Sequence, residues 1–133
     1  MSTKKKIGIG VISLGWMGRL HARSYRTVSE RFPELDAEAR LVVAADPIEQ
    51  ARRAATQDLG FERARADYRE LLADPEVEAV SICAPNYLHE EIALAAVEAG
   101  KPFWVEKPVG VSAEQARRVA HAATSAGLVT AVG

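Results

Sequence analysis

The alternation of short apolar runs with helix-patterned stretches constrains this chain most. Residues 7–13, 40–45, 61–64, 77–83, 102–106 and 128–132 are short, mostly aliphatic, and read as six strands. Residues 16–29, 48–59, 68–72, 88–99 and a stretch starting near Ser112 and running to Ala126 read as helices. The punctuation agrees. Asp67 is placed to cap the third helix, Ser112 and Gln115 have capping-box spacing, and Gly60, Gly100 and Gly127 each follow a helix end. Strand–helix repetition of this kind implies a parallel sheet with helices on both faces, and right-handed crossovers make it a doubly wound α/β fold of about six strands.

Bulk properties narrow the function classes. A chain of 133 residues, 48% of them hydrophobic, suits one domain, residues 1–133, with one core. Seventeen basic and eighteen acidic side chains leave a net charge of −1, which gives no electrostatic reason for a nucleic-acid or membrane partner. The lone Cys83 rules out an intrachain disulfide and fits a reducing, cytoplasmic setting. His21, His89 and His121 are too dispersed for a metal site. The basic start followed by apolar residues 7–14 imitates a signal peptide, but the run is short, contains two glycines and lacks a cleavage site.

In a doubly wound sheet, ligands sit where the strands end, which selects four turns: residues 13–18, 46–48, 84–89 and 106–110. In the first, Ser13-Leu-Gly15-Trp-Met-Gly18 resembles the G-x-G-x-x-G phosphate turn with serine in the first glycine position. Gly15 would admit a pyrophosphate, the amides of Trp16 and Met17 at the helix start would hold its charge, and Gly18 would let the helix pack closely. Serine is expected to make the turn with its φ kept negative. Asp46 ends the second strand, where a carboxylate takes ribose hydroxyls and repels a 2′-phosphate, favouring NAD over NADP. Arg52 and Arg53 would reverse that preference by folding back to the ribose; helical spacing places them mostly in solvent.

Three stretches, "GWMGRLHA", "APNYLHEEIALAAVEAGKPFWVEKPVG" and the Asp46 turn, resemble the amino-terminal, Rossmann-fold domain of the Gfo/Idh/MocA oxidoreductases. The resemblance covers nearly the whole chain. It implies hydride transfer between a nicotinamide dinucleotide and a hydroxyl-bearing carbon of a sugar, cyclitol or related polyol. It implies that Gly15, Trp16 and Met17 hold the pyrophosphate and that Asp46 holds the adenosine ribose. Ala84, Pro85 and Asn86 would lie along the cofactor, with His89 near the nicotinamide side. Glu106 would contact the nicotinamide ribose, Lys107 would help move the substrate hydroxyl proton, and Pro108 closes the motif.

The chemistry of Lys107 agrees with that role: an ammonium beside an alcohol being oxidised stabilises developing negative charge and relays a proton. Proline at 108 extends the backbone of Lys107, and a cis bond there would sharpen the aim of its side chain. His21 is expected to be a packed or capped residue, His121 solvated, and Cys83 a small core residue. Trp104 and Phe103 alternate on their strand, so they face opposite layers. The family's second domain, which carries the substrate pocket, is expected to be missing, leaving a chain that binds cofactor without turnover. Surface meant for that domain would favour self-association into a homo-oligomer, which light scattering would show. The competing reading is a stand-alone nucleotide-binding or sensing module, which would not need Lys107.

Overall fold

A computed structural model describes residues 3–133. It has six parallel strands: β1 (Lys5–Ile12), β2 (Ala37–Ala45), β3 (Arg63–Arg65), β4 (Ala79–Ile82), β5 (Phe103–Val105) and β6 (Thr130–Val132). Their order in the sheet is β3-β2-β1-β4-β5-β6. From β1 the chain winds outward through β2 and β3, then returns to the other side of β1 and winds outward again. The reversal lies between β1 and β4, and the crevice outside their carboxyl ends is where such a sheet binds ligands.

Five α-helices connect the strands: α1 (Trp16–Arg31), α2 (Glu49–Ala54), α3 (Tyr68–Ala73), α4 (His89–Glu98) and α5 (Ala113–Ser125). Two apolar clusters cover the two faces of the sheet. Ile9 and Val11 of β1 join Ala22 of α1, Ala51 of α2, and Leu59 and Phe61 in one; Ile12 joins Leu71, Ile82, Ile92, Phe103 and Val119 in the other. The division within β1 follows from the alternation of side chains along a strand.

The six strands and the helical segments all appear where the sequence pattern places them, with shifted edges. Asp67 accepts from the Arg69 amide, and Ser112 accepts from the Gln115 amide while Gln115 Oε1 accepts from the Val111 amide. β2 begins at Ala37, within the stretch read as a loop, because pairing with Lys5–Ile7 of β1 draws in three residues lacking apolar β-branched character. The helix expected over 48–59 is α-helical only to Ala54; Ala55–Leu59 widen into a π turn that ends at Gly60, whose φ is +89°. Leu88, expected to open the fourth helix, instead ends a separate 3₁₀ turn, Asn86–Leu88. Met1 and Ser2, part of the basic start, lie outside the described residues. No helix among the described residues is long and apolar enough to cross a membrane.

Candidate functional site

The turn after β1 departs from expectation at Ser13, whose φ is +74°, the only positive value on a non-glycine residue among those described. An L-residue in that region costs about 1–3 kcal/mol, so surrounding contacts must impose it. The Ser13 amide donates to the Ala45 carbonyl at 2.7 Å, and the Leu14 amide donates to Asp46 Oδ2 at 2.8 Å. On the other side α1 presses against the turn: a Cβ added to Gly18 would lie 1.9 Å from the Ser13 carbonyl oxygen. Gly18 therefore has the close-packing role its spacing suggested, and the turn keeps its glycine-like shape with serine.

Gly15 is the N-cap of α1 and no side chain caps the helix. A Cβ added there would meet nothing within 4 Å. The first-turn amides, including those of Trp16 and Met17, have no intrahelical acceptors and sit at the positive end of a sixteen-residue helix. Open space before unpartnered amides fits an anionic diphosphate.

Two clefts flank this turn. One, of about 540 Å³, is bounded by Ser13, Leu14, Gly15 and Arg19 on one side, Asp46, Pro47 and Ile48 on another, and Pro85 and Tyr87 on a third. The other, of about 440 Å³, is bounded by Trp16, Met17, Ala84, Asn86, Glu106 and Lys107, with Cys83 and His89 in its wall. The loop after β4 thus contributes to both. Gly15, Asp46 and Lys107, far apart in sequence, lie along one edge of the sheet.

Asp46 is only 6% exposed, and its carboxylate already accepts two amide bonds, from Leu14 on Oδ2 and from Ile48 on Oδ1 at 2.9 Å. Each oxygen retains acceptor capacity. Asp46 therefore fastens the phosphate turn to the turn after β2 while forming part of the first cleft. Arg52 corrects the expectation of a solvated side chain: its Nη1 donates to the carbonyls of Asp46 at 2.9 Å and Pro47 at 2.8 Å. Those carbonyls precede α2, and a guanidinium with five donors suits them. Arg53 is exposed and pairs with Glu49, as its helical spacing suggested.

His89 is fully buried. Its Nδ1 lies 2.5 Å from the Pro108 carbonyl oxygen and its Nε2 2.7 Å from that of Ala84. Both nitrogens face backbone carbonyls, so the ring packs between the 84–86 turn and the 106–108 turn and presents neither nitrogen to the cleft. The Lys107–Pro108 bond is cis. Lys107 is exposed and, among the described residues, its ammonium forms no hydrogen bond. Cys83 is half-buried beside Glu106; burial first, then the carboxylate, push its thiol up to about 12.

Two residues at this edge escaped sequence reasoning. Arg19 Nε donates to the Leu14 carbonyl and the side chain borders the first cleft. His21, expected to be packed or capped, bonds through Nδ1 to Ser81 Oγ at 3.0 Å and through Nε2 to Glu106 Oε1 at 2.8 Å. The available signal was helical spacing, since Met17, His21 and Tyr25 recur every four residues on one face of α1. His121 is exposed, and no cluster of His, Cys, Asp and Glu among the described residues could hold a metal ion.

Comparison with known proteins agrees with this geometry. The curated levoglucosan dehydrogenase of Pseudarthrobacter phenanthrenivorans is 35% identical over 94% of this chain and 32% of its own length. An inositol 2-dehydrogenase of Paracoccus denitrificans is 39% identical over 90% of the chain and 34% of its own. Among solved structures, an NAD-binding oxidoreductase from Klebsiella pneumoniae superposes with a TM-score of 0.91 at 40% identity, over 96% of this chain and 34% of that one. Levoglucosan dehydrogenase in complex with NADH gives 0.91 at 32% identity, with the same coverage. The chain thus spans about a third of the length of the relatives it matches. The sequence model described as "Oxidoreductase family, NAD-binding Rossmann fold" matches residues 7–133, and the chain belongs to that family, Gfo/Idh/MocA.

Proposed function

We propose that this chain is the NAD-binding portion of a dehydrogenase acting on a hydroxyl-bearing carbon of a sugar, cyclitol or related polyol. The observation that carries the reading is the pair of clefts on either side of the unpartnered start of α1, with Asp46 at one and Glu106 and Lys107 at the other. Two curated relatives of this length class of match are a sugar and an inositol dehydrogenase. The bound nicotinamide would supply the hydride acceptor. The amides of Gly15, Trp16 and Met17 would hold the diphosphate, and Asp46 would take the adenosine ribose and repel a 2′-phosphate. Ala84, Pro85 and Asn86 would follow the cofactor between the clefts, and Glu106 would accept from the nicotinamide ribose.

Lys107 is the chain's catalytic residue in this reading. Its ammonium would stabilise negative charge growing on the substrate oxygen and give one of its own protons to water or a base as it takes the hydroxyl proton, so that its charge is unchanged. The chain spans about a third of the length of its relatives, and in this reading it binds cofactor without steady-state turnover of a polyol. A reducing, cytoplasmic setting belongs to the same reading, supported by the single free cysteine of these residues.

Titrating the chain with NADH and NADPH, read by fluorescence of Trp16 and Trp104, tests the reading. NADH should bind more tightly, because the Asp46 carboxylate meets a 2′-phosphate with like charge. Tighter NADPH binding would overturn the role of Asp46, and binding of neither would overturn the cofactor site.

A further inference from the structure

We infer that His21 is a positioning residue for Glu106, fixing one carboxylate oxygen so that the other faces the nicotinamide half of the cofactor. The inference rests on the cofactor reading above. The directions of the hydrogen bonds carry it. The Glu106 carboxylate only accepts, so His21 Nε2, 2.8 Å away, must carry the proton. In the tautomer that leaves His21 Nδ1 unprotonated, Nδ1 accepts from Ser81 Oγ, 3.0 Å away. Ser81 is fully buried, and its oxygen in turn accepts from the Tyr25 hydroxyl at 2.7 Å. Burial pushes the Tyr25 phenol above its ordinary value, which keeps that hydroxyl a donor. With His21 as the Nε2–H tautomer, the row runs in one sense, from Tyr25 to Ser81 to His21 to Glu106.

The row ends on a single atom. Glu106 Oε1 accepts from His21 and also from Trp104 Nε1, at 3.3 Å. The indole stands edge-on to the imidazole with ring centres 5.6 Å apart, which limits the imidazole's rotation. With Oε1 occupied twice, Oε2, which lies beside Gly133 at the border of the second cleft, is the oxygen left without a hydrogen bond among the described residues. Glu106 belongs to a short strand end, and its side chain has three rotatable bonds. Without the row the carboxylate would be free to turn away, so His21 supplies the preorganisation that a ribose contact needs.

Isothermal calorimetry on the 133-residue chain with NADH and with ADP separates this role from a structural one, because ADP lacks the nicotinamide ribose. His21→Leu should weaken NADH by roughly tenfold, as expected for loss of a bond to a charged group, and leave ADP within about twofold. His21→Gln, which keeps a donor near the Nε2 position, should restore most of the loss. Nitrogen NMR of the unaltered protein should show the Nε2–H tautomer of His21. An unchanged NADH affinity in His21→Leu, an equal loss for both nucleotides, or the Nδ1–H tautomer would overturn the inference. If the unaltered chain binds neither nucleotide, the cofactor reading fails and the inference falls with it; if it binds ADP and NADH and only the His21→Leu pattern is wrong, the inference alone fails.

Discussion

The two edges of the sheet solve opposite problems. At the amino edge, polar groups find one another. Arg40 bonds Glu62 and Glu76, Arg63 bonds Asp74 and Glu76, and Lys101 Nζ donates to the carbonyls of Asp74 and Val77. The Glu78 carboxylate takes the Gly8 amide. At the carboxyl edge the same kinds of group are left open. The first amides of α1 have no cap, Lys107 has no hydrogen-bond partner among the described residues, and Trp16 and Tyr87 stand 79% and 71% exposed around the clefts. A backbone strained at Ser13 lies on this side. The stable edge consumes its hydrogen-bonding capacity internally; the binding edge spends much of it on holding its turns together and leaves the first amides of α1 and the Lys107 ammonium open. The strain there is the kind expected where structure is bent toward function.

Three measurements can break or sharpen this contrast. The largest effect should come from a matched pair of glycine substitutions, one at each edge. A Cβ on Gly18 would sit 1.9 Å from the Ser13 carbonyl oxygen and one on Gly8 would sit 1.8 Å from that of Glu76. Both Gly18→Ala and Gly8→Ala should destabilise by about 1–3 kcal/mol in chemical denaturation, the usual cost of overpacking. Only Gly18→Ala should abolish NADH binding, because only there does backbone relief move the phosphate turn. Equal loss of binding in both variants would erase the division of labour.

Asp46→Ala comes next. It removes the acceptor for the Leu14 and Ile48 amides and the proposed acceptor for the ribose. NADH affinity should fall by about 1.5–3 kcal/mol, the range for hydrogen bonds to charged groups, measured by calorimetry. An unaltered affinity would take Asp46 out of the site.

The smallest effect is acid sensitivity at the amino edge. Bonds from Arg40 outweigh burial and hold the Glu62 carboxyl below its ordinary 4.5. For Asp74, burial pushes upward, but the Arg63 bond, the Glu76 amide and the charge of Arg63 together hold it below 3.8. Both are depressed by folding, so their stabilisation is complete above those ordinary values and disappears as pH falls through the lower folded ones. The melting temperature should be insensitive to these groups between pH 7 and 5 and decline below about pH 4. Arg63→Ala should flatten that decline in calorimetric melts without changing NADH affinity at pH 7. An identical decline in the variant would mean these pairs do not contribute.

The legibility of the molecule follows the range of the forces involved. Elements set by local pattern were readable: β1 from its unbroken aliphatic run, α5 from Ser112 and Gln115, α3 from Asp67. Features decided by distant residues were not. The widening of α2 at Ala55–Leu59 depends on burying Leu59 and Phe61 against β1 and β2, and nothing in Ala-Thr-Gln-Asp-Leu announces it. The positive φ of Ser13 is imposed by bonds to Ala45 and Asp46 and by the approach of Gly18. The site residues were readable as types at one sheet edge, because the resemblance of the Gly15, Asp46 and Glu106-Lys107-Pro108 stretches named them. Their mutual bonds were not: Arg52 turning back to the Asp46 carbonyl, His89 clasping two loops, and His21 reaching Glu106 across 85 positions are products of the assembled sheet.

The double duty of Asp46 bears on how nucleotide preference can change in this scaffold. If Asp46 takes the ribose as proposed, selectivity and architecture share one side chain, and a substitution chosen to welcome a phosphorylated ribose also withdraws the acceptor from the Leu14 amide in the proposed diphosphate turn. A shift toward NADP would have to arrive with a second change that re-anchors the Leu14 amide, or through a residue that accepts from that amide without carrying charge. Preference at this position is therefore expected to drift in coupled steps, with an intermediate that holds either nucleotide poorly.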